Sequence, residues 1–240
     1  MISVDNLSYR IGPTVILRNL NLQVPRGSFF ALAGENGAGK STLIKIMLDL
    51  IRNVQSGQVT INGQAREQIR ARADLVFLPE KFDVEAEVSG WRYLKFVFAM
   101  YNMSFNRQRI IGYSEAMGLD PARLADKVNT YSKGMKQKLG LVSCFTLEKS
   151  LMILDEPLSG LDPSARYRFK QALQQYRSND NTVFYSTHML ADAEEICDRF
   201  AILHAGNIVF EGTPAACKAQ FEATTLEQAY MKCIAAVSCK

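Results

Sequence analysis

The chain has 240 residues, 48% of them hydrophobic, which is enough to bury a sizeable core, and a formal net charge of +4. That charge falls short of the clustered basic excess of a nucleic-acid-binding protein, so nucleic acid is set aside as a partner, while an anionic membrane surface stays compatible. The five cysteines, Cys144, Cys197, Cys217, Cys233 and Cys239, are odd in number and lack the two-residue spacing of a zinc knuckle or redox motif, which argues against a disulfide framework.

Met1 leads into Ile2, Ser3, Val4, Asp5 and Asn6, with neither the basic start nor the apolar stretch of a signal peptide. No run reaches the roughly 18 uninterrupted apolar residues that span a bilayer. The expectation is a cytoplasmic chain that reaches any membrane through a partner.

In chain order, Ile2, Val4, Val15, Leu17, Leu20, Leu22 and Val24 alternate with polar residues as half-buried strands do. Residues 25–28 make a turn, and residues 29–33 are a continuous apolar strand that runs straight into a glycine-rich loop. Residues 42–51 carry helical spacing through Leu43, Ile46, Met47 and Leu50. Residues 59–61 read as a strand that turns at Asn62 and Gly63, and residues 75–78 as a buried strand stopped by Pro79. Three arginines between Arg66 and Arg72 read as a solvated face near a turn.

Strand signals vanish over residues 84–145, where helices are predicted at 91–101, at 110–117 and from near Ser132 onward. The aromatics Trp91, Tyr93, Phe96 and Phe98 fit core packing better than a docking surface. Strands return at 151–154 and 182–185, with a helix at 163–176 between them, the alternation of a parallel sheet covered by helices. Residues 200–203 and 208–210 predict a hairpin, with His204 a structural histidine, and the last 25 residues predict a short helical tail. The chain thus reads as one α/β domain over residues 1–240: core 1–83 and 146–215, an inserted helical subdomain 84–145, a tail 216–240, and an antiparallel β portion at the N-terminus.

The chemistry concentrates at Gly34, Glu35, Asn36, Gly37, Ala38, Gly39, Lys40 and Ser41, followed by Thr42. They match the phosphate-loop pattern, in which backbone amides curl around phosphate oxygens and a lysine reaches the β and γ phosphates. About 115 residues later the strand at 151–154 ends in Asp155 and Glu156. Ligands bind at the carboxyl ends of parallel strands, so both acids are expected beside the loop. Asp155 with Ser41 would hold Mg²⁺, and Glu156 would polarise the attacking water.

Between these motifs, Tyr131, Ser132, Lys133, Gly134, Met135, Lys136, Gln137, Lys138 and Leu139 resemble the signature of ABC-type ATPases, usually written L-S-G-G-Q. Glu80 stands where that family has its Q-loop, Ser159 to Asp162 resemble its D-loop, and His188 its switch histidine. Tyr9 resembles its adenine-stacking aromatic. The resemblance covers essentially the whole chain and implies a phosphate-loop NTPase fold that binds ATP and Mg²⁺. It further implies a head-to-tail dimer, homodimer or heterodimer, in which Ser132 and Gly134 of one chain contact the γ phosphate held by Lys40 of the other. Asp162 would reach across that dimer, His188 would orient the water with Glu156, and Glu80 would sense Mg²⁺.

The family likeness implies the ATP-hydrolysing subunit of a transporter, lying on the cytoplasmic face of the membrane, with residues 84–145 docked on an integral permease. Glu80, Lys133 and Met135 depart from the common pattern, as they do in the branch serving small exporters. The alternative is a soluble ABC ATPase that moves no solute, as in iron–sulfur assembly. A module that senses ATP without hydrolysing it fits poorly with intact Lys40, Asp155, Glu156 and His188.

Overall fold

In a computed structural model, which describes residues 1–84, 87–177 and 181–238, the alternating N-terminal residues form strands β1 (Ile2–Ile11) and β2 (Thr14–Val24). There follow β3 (Phe29–Ala33), helix α1 (Lys40–Met47), β4 (Ser56–Ile61), β5 (Gln64–Ala65) and β6 (Leu75–Leu78). Next come helices α2 (Gly90–Met100), α3 (Arg107–Ala116) and α4 (Lys133–Thr146), with short 3-10 turns at Pro121–Ala125 and Val128–Thr130. The chain then alternates through β7 (Leu151–Asp155), α5 (Pro163–Arg177), β8 (Thr182–Thr187) and α6 (Leu190–Ile196). It closes with β9 (Arg199–His204), β10 (Asn207–Gly212), α7 (Pro214–Gln220) and α8 (Leu226–Ser238).

Two sheets result. The antiparallel one runs β2-β1-β4-β5, its turn before β5 made by Asn62 (φ 54°) and Gly63 (φ 74°) as the Asn-Gly pair predicts. The other runs β10-β9-β3-β8-β7-β6 and is parallel except for β10. The hairpin expected at residues 200–210 is present, but its first strand is more than a hairpin arm: β9 also pairs in parallel with β3.

The central strands are apolar throughout because both faces are covered. Phe29, Ala31 and Ala33 point into a core shared with α2 to α6 and α8, whereas Phe30 and Leu32 point into a second core shared with α1 and the antiparallel sheet. The same alternation sends Met152 and Leu154 one way and Leu151 and Ile153 the other.

Three expectations need correction. The first helix ends at Met47 and not near Ile51, with Leu50 left 65% exposed; Asp49 takes a left-handed φ of 59°, which breaks the helical path. Arg66 is not on a solvated face but 2% exposed. Its guanidinium donates to the carbonyl of Ile46 (2.8 Å), in the last turn of α1, and to those of Ile51 (2.7 Å) and Arg52 (2.8 Å) in the segment that follows. The aromatics of α2 divide: Phe98 is buried, Trp91 and Tyr93 are half-buried, and Phe96 is 62% exposed.

Candidate functional site

The glycine-rich loop leaves the carboxyl end of β3, at the centre of the parallel sheet, and enters α1. Each end is tight for a different reason. A side chain on Gly34 would sit 2.4 Å from the Leu203 carbonyl of the neighbouring β9. Gly39 has φ 110° and would drive a Cβ to 2.9 Å from Leu17 Cδ2. No side chain caps α1, so its first-turn amides and the positive end of its dipole face the cleft, an arrangement suited to phosphate oxygens.

Lys40, the first residue of α1, is 6% exposed. Its ammonium donates to the carbonyls of Gly34 (2.7 Å) and Glu35 (3.2 Å) and lies 3.2 Å from Glu156 Oε1. The other carboxylate oxygen of Glu156 meets His188 Nδ1 at 2.8 Å, and half of that imidazole is exposed to solvent. A cation, a carboxylate and an imidazole therefore stand in line at the carboxyl ends of β3, β7 and β8. Glu156 Oε1 is buried and makes no well-aligned hydrogen bond, so it has acceptor capacity to spare.

Glu156 adopts φ 49°, a left-handed conformation that costs a glutamate about 1–3 kcal/mol and needs outside support. Ser186 supplies it. Asp155 and Ser186 face each other in the parallel register of β7 and β8; the Ser186 hydroxyl donates to Asp155 Oδ1 (2.5 Å) and accepts the Glu156 amide (2.9 Å). Buried Gln137, from α4, donates to the Pro157 carbonyl at 3.0 Å and steadies the same turn.

The cleft holds about 470 Å³ and is bounded by the loop, Ser41, Thr42, Glu80 and Glu156, with Ile16 on its apolar side. The profile described as "ABC transporter" matches residues 17–159, more than half of the chain. The chain belongs to the ABC transporter family. Its fold is that of the family's ATP-binding subunits: a solved ATP-binding subunit of an ABC transporter, 32% identical, superposes with a TM-score of 0.90 over 98% of this chain and 99% of the other.

An uncharacterised ABC transporter ATP-binding protein of Nostoc is 35% identical over 83% of this chain and 60% of its own length. The chain thus spans about three fifths of that relative. The lantibiotic transport ATP-binding protein SrtF of Streptococcus pyogenes is 31% identical over 88% of this chain and 90% of its own length.

Of the remaining residues that the ABC likeness singled out, Tyr9 is half-buried on β1, in register with Leu17, and does not line the cleft; Ile16 does. Asp155 is 4% exposed at the end of β7. Ser132 caps α4, accepting the Met135 amide at 3.2 Å, and Gly134 lies where a Cβ would approach the Gly160 carbonyl at 3.3 Å; neither lines the cleft. Asp162 caps α5 by accepting the Ala165 amide at 2.9 Å, and that bond holds its carboxyl below the usual range. Glu80 lines both the cleft and a neighbouring 400 Å³ pocket that includes Lys133 and Ser159. Sequence reasoning missed the roles of Ser186 and Gln137; a polar residue inside an apolar strand or helix face is the signal that could have found them.

Proposed function

We propose that this chain binds ATP with Mg²⁺ and hydrolyses it, as one of two ATP-binding subunits that drive a separate membrane permease, outward in direction. The observation that carries the reading is the line from Lys40 through Glu156 to His188 at the mouth of an uncapped helix. Lys40 binds the β and γ phosphates together with the amides from Gly37 to Thr42. Glu156, its conformation braced by Ser186, accepts a proton from the attacking water, whose oxygen bonds to the γ phosphorus as the ADP oxygen leaves.

With Nδ1 committed to Glu156, His188 has Nε2 left for the phosphate or water, and donates from it only when both ring nitrogens are protonated. Among the described residues no three His, Cys, Asp or Glu side chains cluster as a metal cage. Mg²⁺ is commonly held by a few protein oxygens together with phosphates and water, and Ser41 and Asp155, with Glu80 lining the same cleft as Ser41, would supply them here. Bound there, the ion neutralises charge developing on the phosphates.

Ser132 and Gly134, away from their own cleft, fit a role at the nucleotide of a second copy or a related subunit, with Asp162 beside the same face. The membrane contact falls on the 84–145 block. A 370 Å³ groove there is lined by Asp83, Val84, Val88, Arg92, Tyr93 and Phe96, and Phe96 is 62% exposed at its edge. No helix among the described residues is long and apolar enough to cross a membrane; in this reading the pathway is that of a separate permease, at whose cytoplasmic face the chain docks. The likeness to SrtF, a lantibiotic transport ATP-binding protein, supports this assignment.

The decisive experiment is Glu156→Gln. ATP binding is retained, turnover falls by about a hundredfold or more, and the chain elutes as a dimer when ATP is present. Unchanged turnover would reject Glu156 as the base; a monomer at saturating ATP would reject the clamped dimer.

A further inference from the structure

Behind the Glu156–His188 pair stands a second cluster of charge that the chemistry above leaves unused. Asp192, in the first turn of α6, is 8% exposed and does not line the cleft. Both its carboxylate oxygens meet cations of α5. Oδ1 lies 2.7 Å from the Lys170 ammonium, while Oδ2 lies 3.9 Å from Arg166 Nη1 and is buried without a hydrogen bond. Lys170 also meets Glu195, on the same helix as Asp192, at 2.6 Å.

Both ends of this cluster lead back to Glu156. On the α5 side, Arg166 Nε donates to the Leu161 carbonyl at 3.1 Å. Leu161 closes the turn in which the Glu156 carbonyl accepts the Ser159 amide (3.0 Å) and the Leu158 carbonyl accepts the Leu161 amide (3.3 Å). On the α6 side, the chain runs back from Asp192 through Met189, whose amide donates to Thr187 Oγ1 at 2.9 Å, to His188, whose Nδ1 is 2.8 Å from Glu156 Oε2. Asp192 and Arg166 thus complete a ring that contains both partners of the Glu156–His188 contact. Ala165 and Phe169 of α5 and Ala193 and Ile196 of α6 are buried in one core, so both helices are packed elements.

We propose that Asp192 is a positioning residue for His188: through Lys170 and Arg166 it fixes the register of α6 on α5 and so holds the imidazole against Glu156. This rests on the roles given above to Glu156 and His188. A buried ion pair adds little net stability over apolar packing, but its charges are satisfied in one arrangement, whereas apolar contacts alone tolerate sliding. Arg166, which holds the Leu161 carbonyl and faces Asp192, ties the turn after Glu156 to the same helix.

The test is a double-mutant cycle in steady-state ATPase kinetics of the full chain, with Asp192→Asn and His188→Ala made singly and together. Asparagine keeps the shape and removes the charge, and Lys170 retains Glu195. Asp192→Asn is expected to lower kcat about tenfold while KM for ATP stays within about twofold. Once His188 is replaced by alanine, the same substitution should change kcat by less than about twofold, because no imidazole is left to position. A merely structural role predicts a lower thermal midpoint with kcat unchanged, or a kcat loss as large without His188 as with it; either result overturns the proposal.

Should Asp192→Asn fail to fold, Lys170→Gln loosens the same register from α5 and is read by the same cycle. A kcat loss that disappears in the His188→Ala background supports the proposal, and a loss that persists, or no loss, rejects it. His188→Ala alone separates the two readings. If it lowers kcat by about tenfold or more while Asp192→Asn is kinetically normal, only the positioning role fails; if it leaves kcat unchanged, the role given to His188 fails and the positioning role with it.

Discussion

Ser186 shows how much of this site rests on a residue without direct chemistry. Its hydroxyl is 2.5 Å from Asp155 Oδ1 and 2.9 Å from the Glu156 amide, and it is fully buried. Replacing it with alanine leaves a buried amide and a buried carboxylate oxygen without that partner, and releases the strained φ of Glu156. Ser186→Ala should therefore lose about 1–3 kcal/mol of stability in urea titration and lower kcat by roughly tenfold or more, since small misplacements of a reacting group are costly. Wild-type kcat in a destabilised variant would show that Glu156 needs no such support. The residues proposed to bear chemistry, Gly34 to Ser41, Asp155 and Glu156, were legible beforehand because phosphate binding and water activation demand those types at that spacing. Ser186 was not, because nothing in the sequence says which strand residue faces Asp155 until β7 and β8 are paired.

At the scale of elements, the end of α1 and the segment after it are held by a residue from elsewhere in the chain. Arg66 binds the carbonyls of Ile46, Ile51 and Arg52, and the backbone carbonyl of Arg66 in turn accepts from the Arg72 guanidinium. Arg66→Met keeps much of the apolar stem and loses the donors. It should cost about 1–3 kcal/mol in chemical denaturation, from carbonyls left without their donors. A midpoint unchanged from wild type would mean that water replaces the guanidinium fully. The helical periodicity of residues 42–51 predicted α1 but overran its end, since Leu50 fits the pattern while the turn at Asp49 and the arginine arriving from residue 66 terminate the helix first.

At the scale of the whole molecule, two layers of core on either side of the parallel sheet seal the four cysteines among the described residues and leave a groove open on the helical block. Cys144, Cys197, Cys217 and Cys233 are buried free thiols, and burial pushes Cys144 and Cys197 up to about 12 and Cys217 to about 11. Thiolate is the reactive form, so brief alkylation at pH 8 followed by peptide mass spectrometry should leave Cys144 and Cys197 unmodified in the native chain and label both in denaturant. Labelling in the native chain would contradict the packing. The groove makes the opposite kind of prediction. Phe96→Glu should abolish co-purification with a membrane partner while ATP turnover of the isolated chain stays within about twofold, because a charge in an apolar interface disrupts docking and Phe96 does not line the cleft. Retained co-purification would move the docking surface elsewhere. The sequence by itself determined the phosphate loop, the two carboxylates, the alternation of strands and helices and the helical block at residues 84–145, since each is written in local spacing and residue type. Only the tertiary structure decided that β9 joins the parallel sheet, that Ser186 braces Glu156 and that Arg66 binds the carbonyls at and just after the end of α1. Those are contacts between residues from 14 to about 170 positions apart, and their partners are chosen by chain packing, which no local pattern encodes.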